Sequence, residues 1–372
     1  MNPEIDRVKN IVVIIVILLT SKGIYAQEIV TITNDLISPF KISGYVEAYG
    51  STAFSDSFNN RKPSLFVSHN RNDEPAINLA FLKTKYDTED FKANFSLAVG
   101  TYMRASYAAE PGLLKNLYEA NVALKISKEN NIWFETGIFS SHLGFESAKG
   151  DDNWTLTRSL TAENSPYYES GAKINHTSKN GKWFISALIL SGWQRIKPLD
   201  GNTLPSFGTQ VTYSPSSRIT LNSSTFIGTN TPDRRRLMRY FHDFYGIFKL
   251  NNKLAATIGF DIGMEQKSKG SSTFNTWFNS TAIIRYTPTI NTAIAVRGEY
   301  YDDRDSILLP STSPSGFRTW AFSANFDWRI TKNFLWRVEA RSLINRGNIF
   351  TRQDSTITDN NTFITTALAM SF

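Results

Sequence analysis

The chain has 372 residues, no cysteine, 13 % aromatic residues and a formal net charge of +7. The lack of cysteine excludes disulfides and thiolate metal sites, and the basic residues are scattered rather than gathered in a tail or on one helix, which argues against nucleic acid as a partner. A hydrophobic share of 41 % with a mean hydropathy of -0.28 fits a chain half facing lipid and half facing water, because the two faces cancel in the average.

The only long apolar run, Ile11 to Leu19, follows Arg7 and Lys9 and is trailed by small or polar residues up to Ala26. It is far shorter than the roughly 20 residues a helix needs to span a bilayer. Its order of charge, apolar core and Ala-terminated site is that of a secretory signal peptide; a buried helix is the alternative. The reading assigns residues 1–26 to a signal peptide cleaved after Ala26, 27–39 to a short periplasmic segment and 40–372 to a transmembrane β-barrel. No other run approaches the length of a membrane-spanning helix.

From Phe40 onward, runs of about 10 residues alternate apolar and polar, each followed by a break. In Leu254 to Glu265, the residues Leu254, Ala256, Ile258, Phe260, Ile262 and Met264 fall on one face and Ala255, Thr257, Gly259, Asp261, Gly263 and Glu265 on the other. Trp320 to Ile330 repeats the arrangement. Such runs occupy 40–51, 76–87, 91–101, 118–126, 132–139, 167–176, 183–194, 206–213, 219–228, 238–250, 254–265, 275–286, 292–301, 317–330, 334–343 and 362–372, about sixteen strands.

The connections alternate in length. Short ones such as 87–90, 251–253 and 331–333 carry turn residues, and long ones such as 52–75, 102–117, 140–166 and 344–361 lie between them. Strict alternation is what an up-and-down antiparallel barrel with short periplasmic turns and long extracellular loops produces, and a Greek-key sandwich does not. Closure also removes the unpaired edge groups that hydrocarbon forbids. Tyr45, Tyr86, Tyr213, Tyr286, Tyr300, Trp320 and Trp336 sit near strand ends and suit the interfacial aromatic girdles, ordinary packing being the alternative. The last strand places Thr362, Ile364, Thr366, Leu368, Met370 and Phe372 on one face, and its terminal aromatic resembles the signal read by the outer-membrane barrel assembly machinery.

Five stretches carry a family likeness: Ile42 to Tyr49 (ISGYVEAY), Tyr107 to Asn116 (YAAEPGLLKN), Trp154 to Leu160 (WTLTRSL), Ala162 to Glu169 (AENSPYYE) and Gly192 to Arg195 (GWQR). Over nearly the whole mature chain the sequence resembles the β-barrel porins called OmpL-like. The resemblance implies an outer-membrane porin role and brings no agreed substrate, cofactor or catalytic motif.

With the apolar faces toward lipid, the opposite faces line the lumen. Arg or Lys on the lipid face at the bilayer midplane would cost about 2 to 4 kcal/mol. The pore-lining candidates are Glu47, Glu119, Glu135, Asp261, Arg285, Arg297, Glu299, Asp327, Arg329, Arg337, Glu339 and Arg341. Arginines concentrate in late strands and acids in early ones, which predicts a basic wall facing an acidic one and a transverse field. The alternative is that Arg297 with Glu299, and Arg337 with Glu339, merely neutralise a polar interior. The longest connection, 140–166, holds Glu146, Asp151, Asp152, Trp154 and Arg158 and is predicted to fold inward as a constriction, an external cap being the alternative. Gly112 to Asn116 suits one helical turn.

Catalysis is not expected. His242 and Asp243 are adjacent on a strand and so face opposite sides, and no nucleophile, base and orienter stand at readable spacing. No metal site or cofactor is expected either. The functional reading is a passive diffusion channel for small hydrophilic solutes or ions, surrounded by outer-membrane lipids; a non-conducting structural or surface-interaction barrel is the alternative. A homo-oligomer rests only on analogy with trimeric porins, since lipid-facing and subunit-facing strands are equally apolar.

Overall fold

The computed structural model describes residues 39–54, 60–311, 313–352 and 354–372. The predicted leader and the 27–39 segment, except Pro39, lie outside them. Sixteen strands close a single barrel in which every neighbouring pair is antiparallel. They are β1 (Phe40–Ala53), β2 (Ala76–Asp87), β3 (Phe91–Val99), β4 (Leu117–Ser127), β5 (Ile132–Ser140), β6 (Tyr168–Thr177), β7 (Trp183–Leu190), β8 (Ser206–Ser216), β9 (Ile219–Thr229), β10 (Met238–Lys249), β11 (Leu254–Gln266), β12 (Phe274–Thr289), β13 (Thr292–Asp303), β14 (Phe317–Thr331), β15 (Phe334–Asn345) and, after the small hairpin β16 (Phe350–Thr351) and β17 (Ile357–Thr358), β18 (Asn360–Ser371).

The seam is made by β1 and β18, with Tyr45 opposite Ser371 and Ala53 opposite Phe363. Phe372 extends it: its N–H donates to the Gly44 carbonyl at 3.0 Å, and the Gly44 N–H donates to its carbonyl at 2.8 Å. The terminal aromatic therefore stands at the junction where the first and last strands must meet.

Alternation orients each strand as the sequence implies. Ile258, Phe260, Ile262, Phe322, Phe326, Ile364 and Leu368 face outward and stay exposed, whereas Thr257, Asp261, Asn325 and Asp327 face the lumen. At the outer ends of strands, Trp183 stacks on Tyr213 at 4.2 Å and Tyr300 packs against Trp320 at 4.7 Å, as interfacial girdles require. Tyr45 departs from that pattern. It shares the face of Glu47 and Tyr49, so its ring lies buried inside the barrel.

Several strands run past the sequence reading, β8 and β12 by three residues to Ser216 and Thr289, and two others stop short of it by two residues or more. β7 stops at Leu190, because Gly192 and Gln194 take positive φ values of 146° and 52° and turn Trp193 back against Phe226 and Phe241, each 5.0 Å away. β3 ends at Val99, because Gly100 at φ 133° starts the short helix Thr101–Ser106, which caps the barrel with Tyr102 and Met103 buried. Gly112–Asn116 forms the expected helical turn.

The two halves of the lumen are filled differently. Toward the long loops, inward-facing Leu188, Leu190, Phe226, Phe241, Trp277, Tyr301, Phe317 and Phe363 form an apolar cluster with the loop residues Leu65, Phe66, Leu143, Leu160, Trp193 and Leu309. A second cluster joins Tyr45 and Leu79 to Tyr102, Tyr107, Tyr167 and Tyr168. Toward the short turns the β2–β6 face of the interior is polar, while Leu335 and Ala369 extend the second cluster to that end.

Candidate functional site: the lumen and its inward loop

Residues 141–167, between β5 and β6, enter the barrel and run along its wall. His142 reaches across to β9, with Nε2 2.8 Å from the Thr225 carbonyl and Nδ1 2.8 Å from Glu169 on β6. It packs over Gly208, where any side chain would collide with the imidazole. The loop next approaches the seam, where Asp151 accepts from Ser371 Oγ at 2.7 Å. Gly150 lies so near Tyr45 and Glu47 that a Cβ there would overlap both side chains.

Arg158, fully buried, is the loop's internal staple. Its guanidinium donates to the carbonyls of Ser147 (2.7 Å), Ala148 (2.7 Å) and Leu156 (2.9 Å), which pins the descending and returning limbs together. Glu146 ties the same limbs from the other side by accepting from the Ser159 N–H at 2.8 Å.

The wall formed by β13, β14 and β15 holds this stapled loop through backbone groups. Arg337 donates to the Gly150 carbonyl (2.8 Å) and the Asn153 carbonyl (3.0 Å) while paired to Asp327 at 2.7 Å. Arg297 donates to the Thr157 carbonyl (2.7 Å) and pairs with Glu299 (3.0 Å) and Glu339 (2.8 Å). Arg341 donates to the Arg158 carbonyl and pairs with Glu299, both at 2.6 Å. Glu339 accepts from Thr157 Oγ1 at 2.7 Å, and Asn325 accepts from the Leu156 N–H at 2.9 Å. Buried charges persist only when paired and hydrogen-bonded, and here each also satisfies a loop group that would otherwise lack a partner.

Of the predicted lumen charges, Glu47, Asp261, Arg297, Glu299, Asp327, Arg337, Glu339 and Arg341 thus point inward but are sealed from water, Glu47 and Asp261 by other contacts of the interior. Glu119, Glu135, Arg285 and Arg329 stay partly exposed. Of the loop candidates, Arg158 and the Glu146 carboxylate are buried, Trp154 and Asp151 are half-buried, and Asp152 is exposed. The expected pairing of Arg337 with Glu339 is replaced by Arg337 with Asp327, because that carboxylate is directly across the β14–β15 ladder. The expected acidic early wall is also corrected. Lys83 pairs with Glu119, Lys173 with Glu135, and Lys85 and Lys92 with Asp87, so among the half-exposed residues of the early strands lysines outnumber acids.

That second wall, from β2 round to β10, is not covered by the stapled limbs toward the periplasmic end. Lys83, Asn94, Glu119, Lys125, Trp133, Glu135, Lys173, Gln210, Thr212 and Tyr245 remain half-exposed. Lys125 has no acidic partner among the described residues; its ammonium lies 5.1 Å from the Trp133 ring centroid, and that of Lys92 lies 4.3 Å from it. A cavity of about 400 Å³ opens there, bordered by Lys92, Lys125, Trp133, Glu135 and Asn175. Deeper, a cavity of about 230 Å³ lies between the loop at Glu146 and Tyr118, bounded by Phe145, which packs edge-on against Tyr245 at 5.8 Å.

Sequence reasoning missed the contribution of the first long loop. Glu163 accepts from the N–H groups of Val67 (2.6 Å) and Ser68 (3.1 Å), and Lys62 donates to Thr365 Oγ1 at 2.9 Å. Burial pushes the Glu163 carboxyl up to about 7 and the Lys62 ammonium down to about 7. His242 and Asp243 do diverge: His242 bonds Ser223 at 2.8 Å, while Asp243 takes Asn222 at 3.1 Å in the interior.

The family model described as "Putative beta-barrel porin-2, OmpL-like" matches residues 39–372. The chain belongs to that family. It is an integral outer-membrane β-barrel of the porin type. No curated protein matches this OmpL-like barrel. Solved structures share its fold at low identity. An anion-selective porin from Comamonas acidovorans aligns with a TM-score of 0.57 and 9 % identity over 90 % of this chain and 99 % of that one. The outer membrane channel DcaP of Acinetobacter baumannii gives 0.56 and 12 % over 90 % and 97 %. OmpT of Vibrio cholerae in a trimer form gives 0.55 and 7 % over 90 % and 99 %.

Proposed function

We propose that this OmpL-like barrel is a narrow passive-diffusion channel for small hydrophilic solutes, with passage along the β2–β10 wall beside the stapled loop. One observation carries the reading: the loop is bonded to the β13–β15 wall, while the facing wall keeps half-exposed polar and charged side chains. A sixteen-strand barrel has a lumen wide enough to share between a loop and solvent. Five half-exposed lysines (Lys83, Lys85, Lys92, Lys125, Lys173) against three half-exposed acids (Asp87, Glu119, Glu135) on β2–β6 favour anions mildly. The function is transport, without catalysis. The barrel is delivered by a leader peptide and assembled through recognition of Phe372, and it forms a homo-oligomer.

Planar-bilayer recording with sugars of rising size tests the reading. We expect a small single-channel current that only the smaller sugars depress. A second reading, a non-conducting barrel, draws on the apolar cluster near the long loops and on the second cluster, which runs from Tyr107 and Tyr168 to Tyr45, Leu335 and Ala369. It predicts no current and a defect in envelope integrity on deletion of the gene.

A further inference from the structure

On the outside of the barrel, Val46 midway along β1, Ala80 on β2 and Val99 at the extracellular end of β3 stand side by side in register. They face away from the lumen, since their neighbours Glu47, Leu79 and Ala98 point in and are buried. With Ile77 they make an apolar floor, Val46 and Ile77 each 40 % and Val99 56 % exposed, dented at its centre by the small Ala80. Two banks rise beside it, residues 61–76 and the start of the helix Thr101–Ser106. Between them is a groove of about 950 Å³ lined by Arg61, Arg71 and Arg104 and by one acid, Glu74. Glu74 is taken by Arg71. Arg61 and Arg104 are exposed and have no side-chain partner among the described residues.

We propose that this groove binds a net-anionic lipid of the outer leaflet that carries terminal phosphate groups, an acyl chain lying on the Val46–Ala80–Val99 floor and phosphate oxygens meeting Arg61 and Arg104. The site lies where strands meet long external loops, so its floor is at hydrocarbon level and its arginines at headgroup level. Guanidinium forks match phosphate oxygens in charge and geometry. A second copy of the chain seated here would have to desolvate two unpaired cations on a protein of net charge +7, a cost that a phosphate removes directly. The inference depends on the outer-membrane location and not on conduction.

The test is native mass spectrometry of the detergent-solubilised full-length barrel incubated with diphosphoryl lipid A or, as a neutral control, phosphatidylcholine. Heat-modifiable gel migration verifies folding of every variant. We expect a retained lipid A adduct, no phosphatidylcholine adduct, and at least tenfold weaker retention of lipid A in the Arg61→Gln/Arg104→Gln double variant. Ala80→Trp, which fills the floor and leaves both arginines, should weaken retention as well. Equal retention of both lipids, or undiminished lipid A binding in both folded variants, would overturn the proposal. So would a double variant that loses an oligomer while holding lipid A as before, since the face would then be a subunit contact.

Discussion

The two walls of the lumen are built by the same period-two alternation and put it to opposite use. On β13–β15, inward Arg297, Arg337, Glu339 and Arg341 are buried against backbone groups of the 141–167 loop. On β2–β6, inward Lys83, Lys125, Glu135 and Lys173 stay half-exposed, paired across strands or, for Lys125, unpaired. Facing inward and facing water are therefore separate properties. A charge on the first wall acts as a structural tie, and a charge on the second acts on what passes.

The comparison breaks most visibly if substitutions on the two walls behave alike. Arg297→Met leaves Glu339 without its ion-pair partner in a buried site and Glu299 with Arg341 alone, which costs about 3–5 kcal/mol. Lys125→Gln stays within about 0.5 kcal/mol of the parent. Urea unfolding followed by tryptophan fluorescence measures both, and equal losses would mean the walls are energetically equivalent.

Next in size is the effect on current. Deleting residues 149–157 removes Gly150 and Asn153, which receive Arg337, and should raise single-channel conductance several-fold. Gly150→Val should act the same way more weakly, because its side chain would overlap Tyr45 and Glu47 and push the loop from the seam. An unchanged current in both would show that the loop does not limit passage.

A smaller effect follows pH. Burial raises the Glu163 carboxyl to about 7 from an ordinary 4.5, partly offset by the Val67 and Ser68 N–H groups and by Arg158 and Arg341. Its folded value exceeds its unfolded one, so its contribution to holding the 60–75 loop is full below about 4.5 and is lost as pH rises through about 7. Hydrogen-exchange protection factors at residues 64–70, which remove the intrinsic pH dependence of exchange, should fall from pH 5 to pH 8, and Glu163→Gln should flatten that dependence. The smallest effect expected is on selectivity: Lys125→Glu with Lys92→Glu should move the reversal potential in a salt gradient toward cation preference without altering stability.

The barrel was legible because its causes are local. Leu254 to Glu265 announces its two faces residue by residue, and alternating turns and loops then fix an even, up-and-down circuit. The loop's destination was not legible. Thr157 meets Glu339 across 182 residues, and nothing in the spacing of either names the other. Alternation assigns each charge a face, but which charges would be covered depended on where the Arg158 staple folds. Trp277, Phe241 and Tyr301, like Phe226 and Phe363, are apolar residues on faces largely polar, a signal in the sequence that the extracellular half of the lumen would be packed.

The central claim is that water reaches one wall and the loop covers the other. Because the chain has no cysteine, single substitutions can report this with a charged thiol reagent in the reconstituted protein. Gln210→Cys, on the uncovered wall, should label rapidly, and Ser323→Cys, beneath the loop, should resist labelling until residues 149–157 are deleted. Rapid labelling of Ser323→Cys with the loop intact, or equal protection of both positions, would contradict the account.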